Sequence, residues 1–384
     1  MNPVTRQPHL PPQRLPGLDH LRALAIALVF FFHYQIPLFG HPDWIPAYAA
    51  FGWTGVDLFF VLSGFLVSSH LFDQLNRGQP IRWKAYATKR FFRIVPAYVL
   101  VTAVYFMVPQ FREKEALPPL WKFLTFTQNL GLNLRELGTF SHAWSLCVEV
   151  HFYLLLPLLV GLVAHRRRTY WLYWAILLLF AGGFFLRQYN WTTFYLPARG
   201  TDNEYITWYQ YVYYPTYNRL DGVLVGVFIA GITSFSPISW ARLTPYGNWL
   251  LLFGLLALTG AYFVCEDSLS YMASMAGFPL VAIGYGLLVL SALLPSGTLY
   301  NLPSRLTSFV ARISYAVYLT HKGVIHVTQA LLSKLSVDTT SNMTLLLCIC
   351  SCVLVATALN MLIEQPVIEW AKNRITSRPK RLAA

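Results

Sequence analysis

The sequence predicts an all-α integral membrane protein, a bundle of about ten transmembrane helices with its N- and C-termini in the cytoplasm. Of its 384 residues, 56% are hydrophobic and only 12% are charged, with a mean hydropathy of +0.47. A soluble domain carries about 25% charged residues, so this composition is typical of a chain that lies in lipid. Ten apolar runs are long enough to span the roughly 30 Å hydrocarbon core of a bilayer. They are 19–39, 52–72, 94–110, 142–164, 169–187, 218–235, 247–265, 276–294, 309–332 and 342–363.

The distribution of Lys and Arg predicts the orientation of the bundle, because these residues collect in short cytoplasmic connections. With the N-terminus in the cytoplasm, about 20 of the 29 basic residues fall on or beside cytoplasmic segments. Residues 1–18 are then a cytoplasmic N-terminal segment, 19–364 the transmembrane domain and 365–384 a basic cytoplasmic tail. The net charge of +13 follows from this topology and favours contact with the lipid bilayer. No basic stripe lies on a soluble module, so nucleic acid is not an expected partner.

The first predicted helix carries a positive charge and an imidazole at opposite ends of an apolar run. Asp19 follows the Pro16-Gly17 pair and is the expected N-cap. Arg22 and His33 are eleven positions apart, which in a helix is about 16 Å and almost three turns, so both project from one face. Ionisable groups in membrane helices commonly mark a pathway or a reaction centre. The alternative is an Arg that snorkels to the headgroups and a His that is hydrogen-bonded inside the bundle.

Further polar residues are predicted at a depth similar to that of His33, near the outer ends of several helices. Taken singly, each is explained as well by an internal hydrogen-bonded pair. Taken together, they favour a solvent-filled cavity that contains an acid/base site. These residues are Asp57, Ser145, Glu149, Arg219, Asp221, Tyr318 and His321.

On the cytoplasmic side, Arg90 and Arg93 are three positions apart and share one face of a helix. Two guanidinium groups in this arrangement suit bidentate binding of phosphates. The alternative is ordinary cytoplasmic positive charge. On the outer side, the connection 188–217 is dense in Tyr and Trp. It is either an interfacial aromatic belt or a surface on which sugar rings stack.

Seven short motifs, in order along nearly the whole chain, resemble those of the acyltransferase-3 family, membrane enzymes that O-acylate cell-surface glycans and related acceptors. Arg22 and His33 match its Arg-x10-His motif after Gly17-Leu18-Asp19. The others are Gly55 to Leu66 (GVDLFFVLSGFL), Arg90 to Pro96, Trp144-Ser145-Leu146 with Val148-Glu149 and Phe152-Tyr153, Arg219 to Gly222, Ser314 to Leu319 with His321, and Ile363 to Pro366. His20 stands where the family usually has Gly, and Val150 and His151 also depart from the family pattern.

The resemblance implies transfer of an acyl group, acetyl in much of the family, from cytoplasmic acyl-CoA to a hydroxyl of an extracytoplasmic glycan or lipid-linked saccharide. It places the enzyme in the bacterial cytoplasmic (inner) membrane and requires no metal. Arg90, Arg93 and Arg22 would bind the phosphates of the donor. Arg219, Asp221, Tyr318 and His321 are expected to contribute to substrate binding.

In the expected chemistry, His33 either deprotonates the acceptor hydroxyl or accepts the acyl group itself. Asp57 or Glu149 would orient the imidazole, and Ser145 would hydrogen-bond the acceptor or intermediate. Two other functions remain open: a small-molecule acceptor such as a macrolide, and a proton-coupled transporter. The transporter is disfavoured because no internal repeat divides the chain into two corresponding halves.

Overall fold

The computed structural model describes residues 15–36, 39–166 and 169–376, and every regular element within these ranges is helical. Ten long helices form the framework of the described part. They are α1 (Pro16–Tyr34), α2 (Gly55–Asn76), α3 (Trp83–Met107), α4 (Trp144–Arg166), α5 (Tyr170–Asn190), α6 (Asp221–Phe235), α7 (Gly247–Val264), α8 (Phe278–Leu293), α9 (Arg305–Lys334) and α10 (Asn342–Leu359). Each overlaps one of the apolar runs predicted from the sequence.

Eight helical stretches of the described residues are long and apolar enough to cross a membrane. They are Pro16–Tyr34, Ile45–Asn76, Trp83–Met107, Ser141–Gly161, Tyr170–Ala198, Pro237–Val264, Ala273–Leu293 and Asn342–Arg374. Helix α6 has only 15 residues. Helix α9 has 30 residues but includes the cations Arg305, Arg312, Lys322 and Lys334. The number of crossings and the cytoplasmic placement of both termini therefore stay predictions.

The ends of two helices differ from the predicted limits. Helix α1 begins at Pro16, and Asp19 lies in its first turn, where it accepts a hydrogen bond from Ser308 Oγ (2.9 Å), so the expectation of an Asp19 N-cap is wrong. The same helix ends at Tyr34, which puts His33 in the last turn. Helix α3 begins at Trp83, eleven residues before the predicted run, because its first turns are basic and aromatic and escape a hydropathy criterion.

Hydrogen bonds at both ends of α1 join it to α9. At the start of the helix, Asp19 accepts from Ser308, and His20 contacts Thr307 Oγ1 (2.8 Å). At the other end, His33 lies against His321. Asp19 precedes His33 by 14 residues and Ser308 precedes His321 by 13, so the two helices run parallel and nearly in register. This alignment brings the two imidazoles together.

Glycines allow α2 and α6 to approach closely. A Cβ on Gly64 would lie 2.2 Å from the carbonyl oxygen of Val223, and one on Gly226 would lie 2.2 Å from that of Val61. Small residues that permit such backbone contact are typical of packed membrane helices. The contact fixes Asp57, in the first turn of α2, beside Arg219, which lies two residues before the start of α6.

The chain continues past α10 without a break in helical structure. A π-helical turn (Asn360–Glu364) leads into α11 (Gln365–Thr376), and Trp370 of α11 packs against Phe92 of α3 with ring centroids 5.2 Å apart. The proposed domain limit at 364 thus falls inside a continuous helical stretch. Most of the predicted N-terminal segment (1–14) and the end of the tail (377–384) lie outside the described residues.

Candidate active site

Four of the polar residues predicted for one cavity line two adjoining cavities, whereas Asp57, Arg219, Asp221 and His321 line neither. The first, the histidine cavity, has a volume of about 390 Å³ and contains His33 and His142. Its other walls come from the connections 114–141 and 205–214, including the aromatic rings of Tyr205, Tyr209, Tyr213 and Tyr214. The second, the arginine cavity, has a volume of about 140 Å³ and contains Arg22, Arg90, Arg93 and Glu149. Val56 lines both cavities.

Backbone contacts determine which nitrogen of His33 carries its proton. His321 Nδ1 faces the carbonyl oxygens of Val317 (3.1 Å) and Tyr318 (2.9 Å), and a carbonyl only accepts, so Nδ1 is the protonated nitrogen of His321. Its Nε2 is therefore an acceptor, and it lies 3.1 Å from His33 Nδ1. His33 Nδ1 also faces the carbonyl oxygen of Val29 at 3.0 Å, so it donates to both.

The consequence is that His33 Nε2 holds an available lone pair. It makes no hydrogen bond to another described residue, and the imidazole lines the histidine cavity. An imidazole whose other nitrogen is held by a hydrogen bond is oriented to act as a base or nucleophile. His321 thus has the orienting position that was expected for Asp57 or Glu149.

A third histidine completes the cluster. The His142 ring centroid lies 4.9 Å from that of His321 and 5.8 Å from that of His33. His142 is buried and its Nδ1 has no hydrogen-bond partner among the described residues. Among the described residues, no group of three or more His, Cys, Asp or Glu side chains is placed so that it could hold a metal ion.

Cations from two connected segments stand at the rim of the histidine cavity. Lys322, next to His321, forms an ion pair with Glu113 (2.7 Å) and so joins α9 to the 108–140 connection. Lys114 also lines the cavity, and its ammonium donates to the carbonyl of Leu134 (3.0 Å). Partial burial and the charge of Lys322 lower the pKa of Lys114 below the usual range for a lysine. The rim therefore favours a neutral or electron-rich ligand.

The arginine cavity has an excess of positive charge. Three guanidinium groups and the one carboxylate of Glu149 line it, together with the rings of Tyr153 and Tyr315. Arg90 lies over the Tyr153 ring (5.8 Å) and Arg93 over the Tyr315 ring (5.8 Å), which holds the two side chains in place. None of the three arginines forms an ion pair with a carboxylate in the part of the chain that the structure describes.

A hydrogen-bonded bridge stands between the two cavities. Tyr318 Oη donates to the carbonyl oxygen of His142 (2.5 Å), so Ser145 Oγ is the donor in its 2.5 Å contact with Tyr318. Tyr318 and Ser145 line the arginine cavity, whereas His142 lines the histidine cavity. A single layer of side chains therefore lies between the arginine cluster and the histidine cluster.

Asp57 and Asp221 have partners other than those expected. Arg219 Nη2 donates to both carboxylate oxygens of Asp57 (2.8 Å each), and Arg187 pairs with Asp221 (2.6 Å). All four side chains are buried, and neither carboxylate hydrogen-bonds to His33. Glu149 lines the arginine cavity and makes no hydrogen bond to His33 either. The expected orienting contact of Asp57 or Glu149 with His33 is thus corrected to a contact with His321.

Comparison with known proteins agrees with this architecture. Residues 15–361 match the sequence profile of a family described as an acyltransferase domain, the acyltransferase-3 family. The chain belongs to this family. It is 31% identical over 169 residues to O-acetyltransferase OatA of Staphylococcus aureus, covering 40% of this chain and 26% of that protein. It is 28% identical over 349 residues to peptidoglycan O-acetyltransferase OatA of Listeria monocytogenes, covering 83% and 50%.

The chain thus spans half or less of the length of these curated relatives. No solved structure matches it significantly. The family membership favours the acyltransferase interpretation of the sequence over the transporter.

Three residues of the site were not identified from the sequence. His142 lies two positions before the Trp144-Ser145 motif of the family, at the outer end of the predicted run 142–164, which is the signal that could have identified it. Arg187, the partner of Asp221, closes the predicted run 169–187. No pattern in the sequence marked Glu113 as a site residue, because it lies in a long connection. Two of the residues that depart from the family pattern contact other side chains: His20 contacts Thr307, and His151 contacts Thr216 (2.7 Å).

Proposed function

We propose that this protein is an O-acetyltransferase of the bacterial cytoplasmic membrane that moves acetyl from acetyl-CoA to a hydroxyl of an extracytoplasmic saccharide. The observation that carries the proposal is the arrangement of His33. Its Nε2 opens into an aromatic cavity, and only the Tyr318–Ser145 layer lies between that cavity and a pocket lined by three arginines. A donor with a charged head and an acceptor with sugar rings would each find complementary walls.

The arginine cavity suits the phosphates of acyl-CoA. Guanidinium groups bind phosphate oxygens in pairs of parallel hydrogen bonds, and Arg90 and Arg93 present theirs from one face of α3. Arg22 adds a third cation from α1. With one carboxylate present, the cavity has a net charge of about +2 before the donor binds. The thioester end of the donor would extend past Tyr318 and Ser145 towards His33.

The chemistry at His33 takes one of two routes. In direct transfer, the acceptor hydroxyl gives its proton to Nε2 while its oxygen attacks the thioester carbon, the C–S bond breaks, and the thiolate takes the proton from the imidazolium. In the two-step route, Nε2 attacks the thioester carbon first, the C–S bond breaks, and coenzyme A is released as a thiolate. The acceptor hydroxyl then gives its proton to this thiolate while its oxygen attacks the acyl carbon and displaces the imidazole. In both, the hydrogen bond from His33 Nδ1 to His321 stabilises the positive charge that forms on the ring.

The acceptor side favours a saccharide. The histidine cavity is lined by Trp53, Trp144 and four tyrosines of the 205–214 segment. An aromatic face packs against the apolar face of a sugar ring, while its polar edge reaches the hydroxyls. The Listeria relative is named a peptidoglycan O-acetyltransferase, which supports a surface glycan as the acceptor.

The test uses the full chain in lipid nanodiscs with radiolabelled acetyl-CoA and saccharide acceptors. His33→Ala should reduce label transfer to background. His326→Ala is the matched control, because His326 lies on α9 five positions beyond His321 and lines neither cavity. Normal transfer by His33→Ala at equal protein concentration would overturn the proposed role of His33. In sealed proteoliposomes, label that crosses the bilayer without becoming covalently bound would favour a carrier.

A further inference from the structure

A third cavity, which we call the side cavity, lies beside the histidine cavity and has a volume of about 320 Å³. It is bounded by the end of α1, the short segment before α2, the residues 208–213 and the segment that follows α7. Aromatic rings form most of its wall. They are Phe32, Phe51, Trp53, Trp208, Tyr209, Tyr213, Tyr262 and Phe278.

The side cavity is continuous with the proposed reaction site. Four of its residues, Phe32, Trp53, Tyr209 and Tyr213, also line the histidine cavity. The rings of Trp53 and Tyr213 meet edge to face with centroids 6.1 Å apart and form the shared border. Phe32 is the direct neighbour of His33 in α1. A ligand that extends from His33 across this border therefore enters the side cavity.

Three polar side chains of the side cavity have no partner among the described residues. The side chains of Gln35, Glu266 and Ser268 line it, and none of them makes a hydrogen bond or ion pair to another described residue. Glu266 and Ser268 are exposed. A lipid tail would leave these donors and acceptors unused, whereas sugar hydroxyls would satisfy them. Aromatic faces with polar groups at one end are the combination that a sugar ring requires.

The buried guanidinium group of Arg219 packs against the aromatic rings that form the border between the two cavities. Its guanidinium carbon lies 4.4 Å from the ring centroid of Tyr213, 4.1 Å from that of Phe278 and 5.8 Å from that of Trp53. These contacts hold the rings at fixed angles. The two cavities are therefore separated by an ordered aromatic edge, which suits a repeated ligand unit on each side.

We propose that the side cavity is a second saccharide subsite, which binds the sugar unit next to the one that is acetylated. The inference rests on the proposed O-acetyltransferase function and extends it, because it makes the acceptor an oligosaccharide of at least two units. A single sugar in the histidine cavity uses none of the contacts that belong to the side cavity alone, such as those of Tyr262 and Glu266. The enzyme therefore prefers longer acceptors, and the preference depends on residues that lie away from His33.

The experiment measures acetyl transfer by the full chain in nanodiscs to β-1,4-linked N-acetylglucosamine oligomers of one to four units. We expect kcat/KM to rise at least tenfold between one and three units. Tyr262→Ala and Glu266→Ala each remove one contact of the side cavity and should lower this preference about three- to tenfold. Both residues are exposed, so the variants should fold. Tyr246→Ala, at the other end of α7 and outside the three cavities, should keep the preference.

The outcomes separate the two proposals. Equal kcat/KM for all four acceptors, or a length preference unchanged in both side-cavity variants, would overturn the second subsite alone. No transfer to any of the four acceptors would overturn the proposed acceptor class and the subsite with it. A preference that falls in both side-cavity variants and stays intact in Tyr246→Ala would establish the subsite.

Discussion

Replacing Asp57 by Asn tests whether this carboxylate is structural or chemical. In the structure it pairs with Arg219 through two 2.8 Å contacts, and each residue is only 1% exposed. Nε and Nη1 of Arg219 already lack hydrogen-bond partners among the described residues, and aromatic rings surround the rest of the group. Asp57→Asn removes the only negative charge paired with Arg219 among the described residues.

The expected loss is large. Breaking one partner of a buried ion pair costs about 3–5 kcal/mol, because the remaining charge is left without compensation. That is a hundred- to several-thousand-fold change in the ratio of folded to unfolded protein. The assay is reversible unfolding of the purified protein in mixed micelles, followed by tryptophan fluorescence. The matched control is Asp73→Asn, which breaks an exposed pair with Arg77 (side chains 52% and 50% exposed) and should cost about 0–1 kcal/mol.

A double variant distinguishes the explanations further. Asp57→Leu with Arg219→Met removes both charges and should recover most of the stability that Asp57→Asn loses. If Asp57→Asn instead kept wild-type stability while acetyl transfer disappeared, our assignment would be refuted. Asp57 would then act on His33, as the sequence alone suggests.

Three further predictions concern the reaction path. His321→Phe removes the hydrogen-bond acceptor of His33 Nδ1 and should lower kcat about 10–100-fold with little change in KM. His321→Gln keeps an acceptor and should lower kcat less. Equal losses of kcat in the two variants would contradict the orienting role. Arg90→Gln combined with Arg93→Gln should raise the donor KM at least tenfold and leave the acceptor KM within twofold, and an unchanged donor KM would count against phosphate binding. Tyr318→Phe leaves the buried Ser145 hydroxyl and the His142 carbonyl unpaired and should lower the free energy of unfolding by about 1–3 kcal/mol. The same unfolding assay measures this change. Wild-type stability of the variant would show that the bridge is not formed.

Much of the framework could be predicted because lipid imposes simple rules on sequence. The length of the apolar runs identified the ten segments on which the long helices lie. Arg22 and His33 were recognised because they are ionisable residues in an apolar helix. The start of α3 was missed, since an amphipathic basic helix has low hydropathy. Which residue contacts His33 was beyond local reasoning: His321 is 288 positions away, and the Arg219 partner of Asp57 is 162 positions away. Such pairings depend on how helices align.

Helix α1 also fixes the distance between Arg22 and His33. It presents Arg22 in one cavity and His33 in the other, and a helix does not stretch, so the interval between them is fixed at about 16 Å. A donor that engages both must carry its negative charges and its reactive carbonyl that far apart. Acetyl phosphate, in which the two are adjacent, is too short to reach both at once. The spacing of one helix thereby selects donors by their reach, independently of the acyl group they carry.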